Sequence, residues 1–514
     1  MSYQKKKVAD ILGAIDFGSS VAENDTLLQS ARVDTSAFLD LYHDRVDLIP
    51  GTKGSGKSAL YRIFVDFLPE PLFQERKVVI AHGVQQSGDQ LFQIFDKSFD
   101  RMDEAKFVDF WCVYLISLAN EQFIKNVKYA PLFEGCSDEI ESFRRACVGA
   151  HIPDIQKSLS LRQVIDWVLT VLKTWTPKVK YRPPGDSGEF EFGLFGPQKV
   201  HSAEDSGEEA DSSSLPTYVR DIKECLERVL RRIGYALWLM VDRLDELFPR
   251  RSATETRALR GLLRTLRIFE SQELRVKVFL RDDIFQQIVS NGRGFVALTH
   301  VTSRGADTLR WSEDQILTMI TKRLFAHEEL GRYLDVDRSR LDASQDYRKE
   351  AFYRVFPPTV GRGPKNSPTL RWIYNHVKDG CGVVTPRDVI DLLTKAKVRQ
   401  QDEFKSDPSG QTEYLIGPQA IRYGLRELSI KKRTTYLEAE FPHLWKHISK
   451  FVGKKTEYCE AAARSLFGEN WHSIIDSLAS VGVLTKGTSR DGGTSYKIPQ
   501  LYRAGLQLTQ GRAD

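Results

Sequence analysis

Gly51-Thr52-Lys53-Gly54-Ser55-Gly56-Lys57-Ser58 is the stretch whose residue types and spacing most directly imply chemistry. It fits G-x-x-x-x-G-K-[S/T] at every fixed position. Gly51, Gly54 and Gly56 let main-chain N–H groups converge on phosphate oxygens without side-chain obstruction. Lys57 supplies a point charge for the β- and γ-phosphates of a nucleoside triphosphate, and the Ser58 hydroxyl is a magnesium ligand. A helix opening at Ser58 and continuing through Ala59 turns its positive dipole end toward the same phosphates. Thr52, Lys53 and Ser55 complete the phosphate-binding backbone. No N-K-x-D guanine box follows, so ATP with magnesium is the expected ligand.

Phosphate chemistry also needs carboxylates. Leu237-Trp-Leu-Met-Val-Asp242-Arg-Leu-Asp245-Glu246 carries them after a continuous apolar run, the pattern of a strand buried on both faces. Ligands of open α/β sheets sit at such strand ends. Asp242 is the expected magnesium partner through water, and Glu246 or Asp245 the general base for the attacking water. Val276-Lys-Val-Phe-Leu-Arg281 is a third strand, with Arg281 either reporting on the γ-phosphate or paired with Asp282, Asp283 or an acid of the Asp242–Glu246 segment. Arg257, Arg260, Arg264 and Arg267 recur opposite Leu259, Leu262, Leu263 and Leu266. They read as a solvated helix face, the alternative being an arginine finger or a contact to a partner or to nucleic acid.

The elements that must position these residues are visible as periodicities. A strand at 46–50 enters the loop, and Leu60, Ile63, Phe64, Phe67 and Leu68 lie on one face of the helix behind it. A strand at 77–81 completes a βαβ unit, so a parallel sheet is expected. Residues 103–175 read as mostly helical, with Ser160 to Gln163 as a capping box. About 176–214 is an insertion rich in Pro, Gly, Ser and acids, whose last part, Glu204 to Ser214, is expected to be mobile. Helices are expected at 218–232 and 254–269. Ser312 to Gln315 is a second capping box, before Ile316, Leu317, Ile320 and Leu324. The last hundred residues read as a winged helix, with helices near Tyr458 and Trp471 and a hairpin around Asp491-Gly492-Gly493. The expected division is 1–310 for the nucleotide core, 311–415 for a helical lid and 416–514 for the winged helix.

The 514 residues carry 74 basic and 69 acidic side chains, a formal +5 too small to indicate a nucleic-acid coat. Any DNA contact must come from local clusters such as Lys431, Lys432, Arg433, Lys454, Lys455 and Arg490, whereas Trp445 and Trp471 are expected to pack a core. Six scattered cysteines without metal spacing imply neither disulfides nor zinc. The basic start lacks an apolar segment behind it, and no run approaches membrane length, so a cytoplasmic protein is expected.

Taken together, the Asp242-x-x-Asp245-Glu246 box, the strand ending at Arg281 and the helical region after it resemble the STAND and AAA+ ATPases, P-loop proteins of the additional-strand class. The acidic box is similar to the DGxDE box of NACHT-type STAND proteins, and Arg281 stands where those proteins carry the arginine of the sensor-1 strand. Residues 36–58 and 276–285 look like a poorly characterised prokaryotic ATPase family reading G-x-K-G-S-G-K-S-A. Thr385-Pro386-Arg387-Asp388 resembles the sensor-2 of origin-binding AAA+ proteins, which makes Arg387 a nucleotide contact, or else the G-x-P element of STAND proteins. The resemblance implies an α/β core, a helical lid, a winged helix and a nucleotide-controlled switch. It also implies assembly with itself or with a partner effector, a role in anti-phage defence, and a winged helix that either clamps the molecule or binds DNA as in origin recognition.

Overall fold

Short apolar segments alternating with amphipathic ones build an α/β molecule. The computed structural model describes residues 3–83, 102–149, 179–181, 190–193, 196–199, 217–244, 252–290, 298–361, 366–489 and 492–513. Strand β1 (Leu48–Gly51) runs into the glycine-rich loop, and helix α1 (Lys57–Arg62) follows it. The helix then widens into a π-turn over Ile63–Phe67, and Leu60, Ile63, Phe64 and Leu68 are buried while Phe67 is only half-buried.

Contacts group the chain into two units that cut across the three expected segments. One comprises residues 43–50 and 64–307, the other 1–42, 51–63 and 308–514. The division at 310 and 415 therefore stands as a proposal about function.

The first unit is built on a four-stranded sheet. β2 (Val78–Gly83) pairs in parallel with β3 (Ala236–Val241), which pairs in parallel with β4 (Leu274–Arg281). The order is β1-β4-β3-β2. The two strands of the expected βαβ unit therefore lie at opposite edges, with β4 and β3 between them. Gly305 adds a parallel bridge to Leu48. Leu237 to Val241 are all buried, as parallel strands covered on both faces must be. The covering helices include α2 (Glu104–Ala119), α3 (Thr217–Ile233) and α4 (Ala253–Ile268).

The first part of the insertion carries regular structure. Within 176–214, the segments Val179–Tyr181, Phe190–Gly193 and Gly196–Lys199 form a three-stranded antiparallel sheet. Its backbone groups find ladder partners, which composition alone did not reveal. Residues 204–214, like the capping box at 160–163, lie outside the described residues.

The second unit joins the N-terminal residues to the C-terminal half. Tyr3–Gln4 pairs antiparallel with Gln411–Thr412. The helix Lys5–Ala14 buries Val8, Ala9, Ile11 and Leu12 and packs on α5 (Pro386–Ser406), and α5 packs on α6 (Pro418–Lys432). Arg323 and Asp25 form a buried ion pair at 2.5 Å. The box at Ser312 forms as expected: Ser312 accepts from the Gln315 N–H, and the Gln315 side chain accepts from the Ser312 N–H. The chain ends in a winged helix. It comprises helices at Pro442–Ile448, Glu460–Phe467 and α7 (Trp471–Ser480), with a sheet of four strands. Their order is 485–488, 494–497, 455–459, 509–513, the last pair parallel.

Candidate nucleotide site

The loop from Gly51 to Lys57 has the conformation its glycines permit. Gly54 and Gly56 take φ of +85° and +100°, in the left-handed region that side chains disfavour. Gly56 immediately precedes α1. A Cβ at Gly54 would also approach the Arg387 Cβ to 3.2 Å and the Thr385 Oγ1 to 3.4 Å. At Gly51 a Cβ would stand 2.6 Å from the Ser55 Oγ.

The Lys57 side chain is almost fully buried and folds back across the loop. Its ammonium donates to the Gly51 carbonyl at 2.7 Å and to the Thr52 carbonyl at 3.0 Å. The Thr52 Oγ1 and Ser55 Oγ are buried without hydrogen-bond partners among the described residues. A polyanion with acceptor oxygens fits such a donor set, and a glycine backbone leaves room for it. Ser58 and Ala59, both half-buried, lie in the first turn of α1, where a hydroxyl can serve a cation next to bound phosphate. Trp311 supports the loop from outside, its Nε1 donating to the Ser55 carbonyl at 2.7 Å.

α5 brings Arg387 to the loop. Thr385 caps the helix by accepting from the Asp388 N–H at 3.2 Å, and Pro386 occupies the first turn, where it loses no hydrogen bond. The Arg387 stem therefore lies over Gly54, and its Nε donates to the Ser20 carbonyl at 3.2 Å. Lys53, at the loop tip, is ion-paired with Glu440. Lys53 and Arg387 share an open recess of about 350 Å³ with Asp388, Asp391, Lys431 and Lys432.

In the sheet unit, Asp242 follows the last residue of β3 and is 3% exposed. Asp245 and Glu246 lie outside the described residues. Arg281 is the last residue of β4, and its Nε and Nη2 donate to the two Asp283 carboxylate oxygens, each at 3.0 Å. The arginine face of α4 departs from the solvated reading. Arg260 is buried and donates to the Ile288 carbonyl at 2.9 Å, and Arg264 pairs with Glu104 at 2.6 Å, because α4 lies against its neighbours on that side as well. Arg267 is exposed, as a solvated face requires.

A buried charge cluster ties β4 to the approach of β1. Lys277 is fully buried and pairs with Asp47 at 2.7 Å and with Asp44, while Arg304 pairs with Asp47 at 2.6 Å. Burial pushes the Asp47 carboxyl up, but Lys277 and Arg304 outweigh it and hold it below the usual carboxylate range. A lysine inside a strand buried on both faces was the available signal, since such a charge needs a carboxylate partner. Nothing in the local sequence marked Trp311 or Glu440.

The cations considered for DNA are largely committed within the chain. Lys431 pairs with Asp391 at 2.6 Å, Lys432 with Asp388 at 2.9 Å and Arg433 with Glu438 at 2.9 Å. Lys454 and Lys455 are exposed, and Arg490 lies outside the described residues. Trp471 is buried and Trp445 half-buried, with the Arg433 guanidinium 5.4 Å from the Trp445 ring centre.

β4 is a strand added between the loop-bearing β1 and the Asp242-bearing β3, so loop and sheet order together define a P-loop fold of the additional-strand class. The chain matches two solved structures from Aeropyrum pernix. The ORC2 protein in ADPNP–ADP complexes matches at 14% identity and a TM-score of 0.38, covering 93% of this chain and 94% of that one. The ORC1 protein in complex with DNA matches at 13% identity and a TM-score of 0.28, covering 92% and 90%. No protein-family model and no curated protein matches the chain. No helix among the described residues is long and apolar enough to cross a membrane.

Proposed function

We propose that this protein is an ATP- and magnesium-dependent P-loop ATPase acting as a nucleotide-controlled switch or assembly ATPase. The observation that carries the reading is the loop itself. Two left-handed glycines open a helix at Lys57, whose buried ammonium lies across the loop beside unpartnered hydroxyls. Gly51 to Ala59 hold the phosphates, Lys57 the β- and γ-phosphates, and Ser58 with Asp242 the magnesium. Glu246 or Asp245 activates water, and Arg281 and Arg387 read the terminal phosphate. Magnesium supplies charge neutralisation and polarisation of the phosphoryl group when bound.

The switch reading is supported by the contacts that lid and winged helix make with the loop through Arg387, Trp311 and Glu440. Differential contact with the terminal phosphate then biases two conformations. Assembly with itself or with an effector and a place in bacterial anti-phage defence rest on the motif resemblance, and a cytoplasmic location on the sequence pattern. The alternative, an origin-recognition-like ATPase that binds DNA, draws on the winged-helix topology, and the intramolecular pairing of Lys431 and Lys432 weighs against it.

Steady-state hydrolysis with magnesium tests the proposal. Wild type turns over ATP, and Lys57→Ala lowers the rate by about 10²-fold or more. Glu246→Gln retains nucleotide and loses turnover if Glu246 is the base, and Asp245→Asn does so if Asp245 is. Nucleotide affinity unaltered in Lys57→Ala overturns the reading, and binding without any turnover in wild type reduces it to a nucleotide-stapled scaffold.

A further inference from the structure

We infer that Glu440 is an internal competitor for the terminal phosphate, holding Lys53 until a triphosphate displaces it and thereby setting preference between tri- and diphosphate. The inference rests on the P-loop reading above and adds a residue that the motif does not contain.

The geometry begins at the loop tip. Lys53 and Gly54 lie where Arg387 and the N-terminus of the 21-residue helix α5 converge. Asp388 and Asp391 of the same recess are paired with Lys432 and Lys431, so Lys53, Arg387 and the positive helix end leave this locus electropositive. The carboxylate that meets Lys53 is Glu440, 387 residues away in sequence. Glu440 is held in place by its neighbours. Leu437 is fully buried and Phe441 nearly so, and the Tyr436 and Phe441 rings meet edge to face at 5.3 Å. The carboxylate is thus presented to the loop by a packed segment and not by a wandering side chain.

The pair is built to be exchanged. The Lys53 and Glu440 side chains retain 34% and 21% of their exposure, so water screens them and the pair is weak. A phosphate carries more charge and more acceptor oxygens than one carboxylate and forms the stronger charge-assisted bond. Lys53 is at the tip and Lys57 at the base of the loop, so a terminal phosphate competes with Glu440 more effectively than a diphosphate does. Linkage then requires reciprocity: whatever loosens Glu440 from Lys53 raises triphosphate affinity, and triphosphate loosens the segment that carries Glu440.

The test uses the full chain with magnesium and either ADP or a non-hydrolysable ATP analogue. Binding titrations compare wild type, the isosteric Glu440→Gln and Lys57→Ala, while hydrogen exchange follows residues 433–441. The expected result is that Glu440→Gln binds the analogue about fivefold more tightly and ADP nearly unchanged. In wild type the analogue, but not ADP, speeds exchange at 433–441, and Glu440→Gln shows the faster exchange without nucleotide. An unchanged analogue-to-ADP ratio in Glu440→Gln, or wild-type exchange indifferent to the analogue, overturns the inference while Lys57-dependent binding leaves the P-loop reading intact. Binding that is equal in wild type and Lys57→Ala overturns both.

Discussion

A fully buried ammonium survives only where carboxylates meet it, and Lys277 has two, Asp44 and Asp47, with the Val46 carbonyl as a third acceptor at 2.7 Å. Removing one partner of a buried ion cluster leaves charge uncompensated, which costs more than the pair itself contributes. Lys277→Met is therefore expected to destabilise the sheet unit by roughly 3 kcal/mol in denaturant unfolding, Arg304 limiting the loss. Adding Asp44→Asn should recover part of it, because the excess carboxylate is then neutral while Asp47 keeps Arg304. Equal stability of wild type and the single variant would show the cluster to be dispensable. The same residue scale holds the candidate chemistry: Gly54 is doubly constrained, by its φ of +85° and by the Arg387 stem against it.

At the scale of elements, the sheet is covered by helices that approach closely because one carries a glycine. A Cβ at Gly261 in α4 would stand 2.7 Å from the Phe107 Cβ and 2.9 Å from its carbonyl carbon in α2. Backbone cannot yield as a flexible side chain does, so the helices must part. Gly261→Val is expected to cost about 3 kcal/mol, at the upper end for overpacking, read as a lowered unfolding midpoint. A variant as stable as wild type would mean that α2 and α4 slide apart freely. α5 and α6 are joined in the same way, a Cβ at Gly424 falling 2.3 Å from the Leu392 carbonyl oxygen. That close crossing fixes the helix that presents Arg387 against the helix that leads toward Glu440.

For the whole molecule, the grouping of P-loop, lid and winged helix in one contact unit bears on what the winged helix is for. Gly380 donates to the Gly482 carbonyl at 2.6 Å, so the turn after α7 is seated on the loop that precedes Thr385 and Arg387. α7, in the position a DNA-reading helix would take, contains no Lys or Arg, and its Asp476 pairs with Lys486 of the neighbouring strand. These features favour an intramolecular role. Duplex DNA titrated across a salt series is expected to bind weakly, with a shallow salt dependence. A log–log slope steeper than about −4, the release expected from four or five phosphate contacts, would restore the DNA-binding reading.

What the sequence by itself determined was local: the glycine spacing of the phosphate loop, the strand running into Asp242, the strand ending at Arg281, and the capping box at Ser312. Each is encoded within a few residues, because main-chain φ, side-chain period and helix capping depend on immediate neighbours. The tertiary structure alone decided that β4 enters between β1 and β3, that Lys277 meets Asp44 and Asp47, and that the N-terminal helix joins the lid. It also brought Arg387 to Gly54 and Glu440 to Lys53. Those pairings join residues that chain connectivity does not bring together. They follow from which apolar faces bury one another and which charges must then be neutralised, and no local periodicity records that choice.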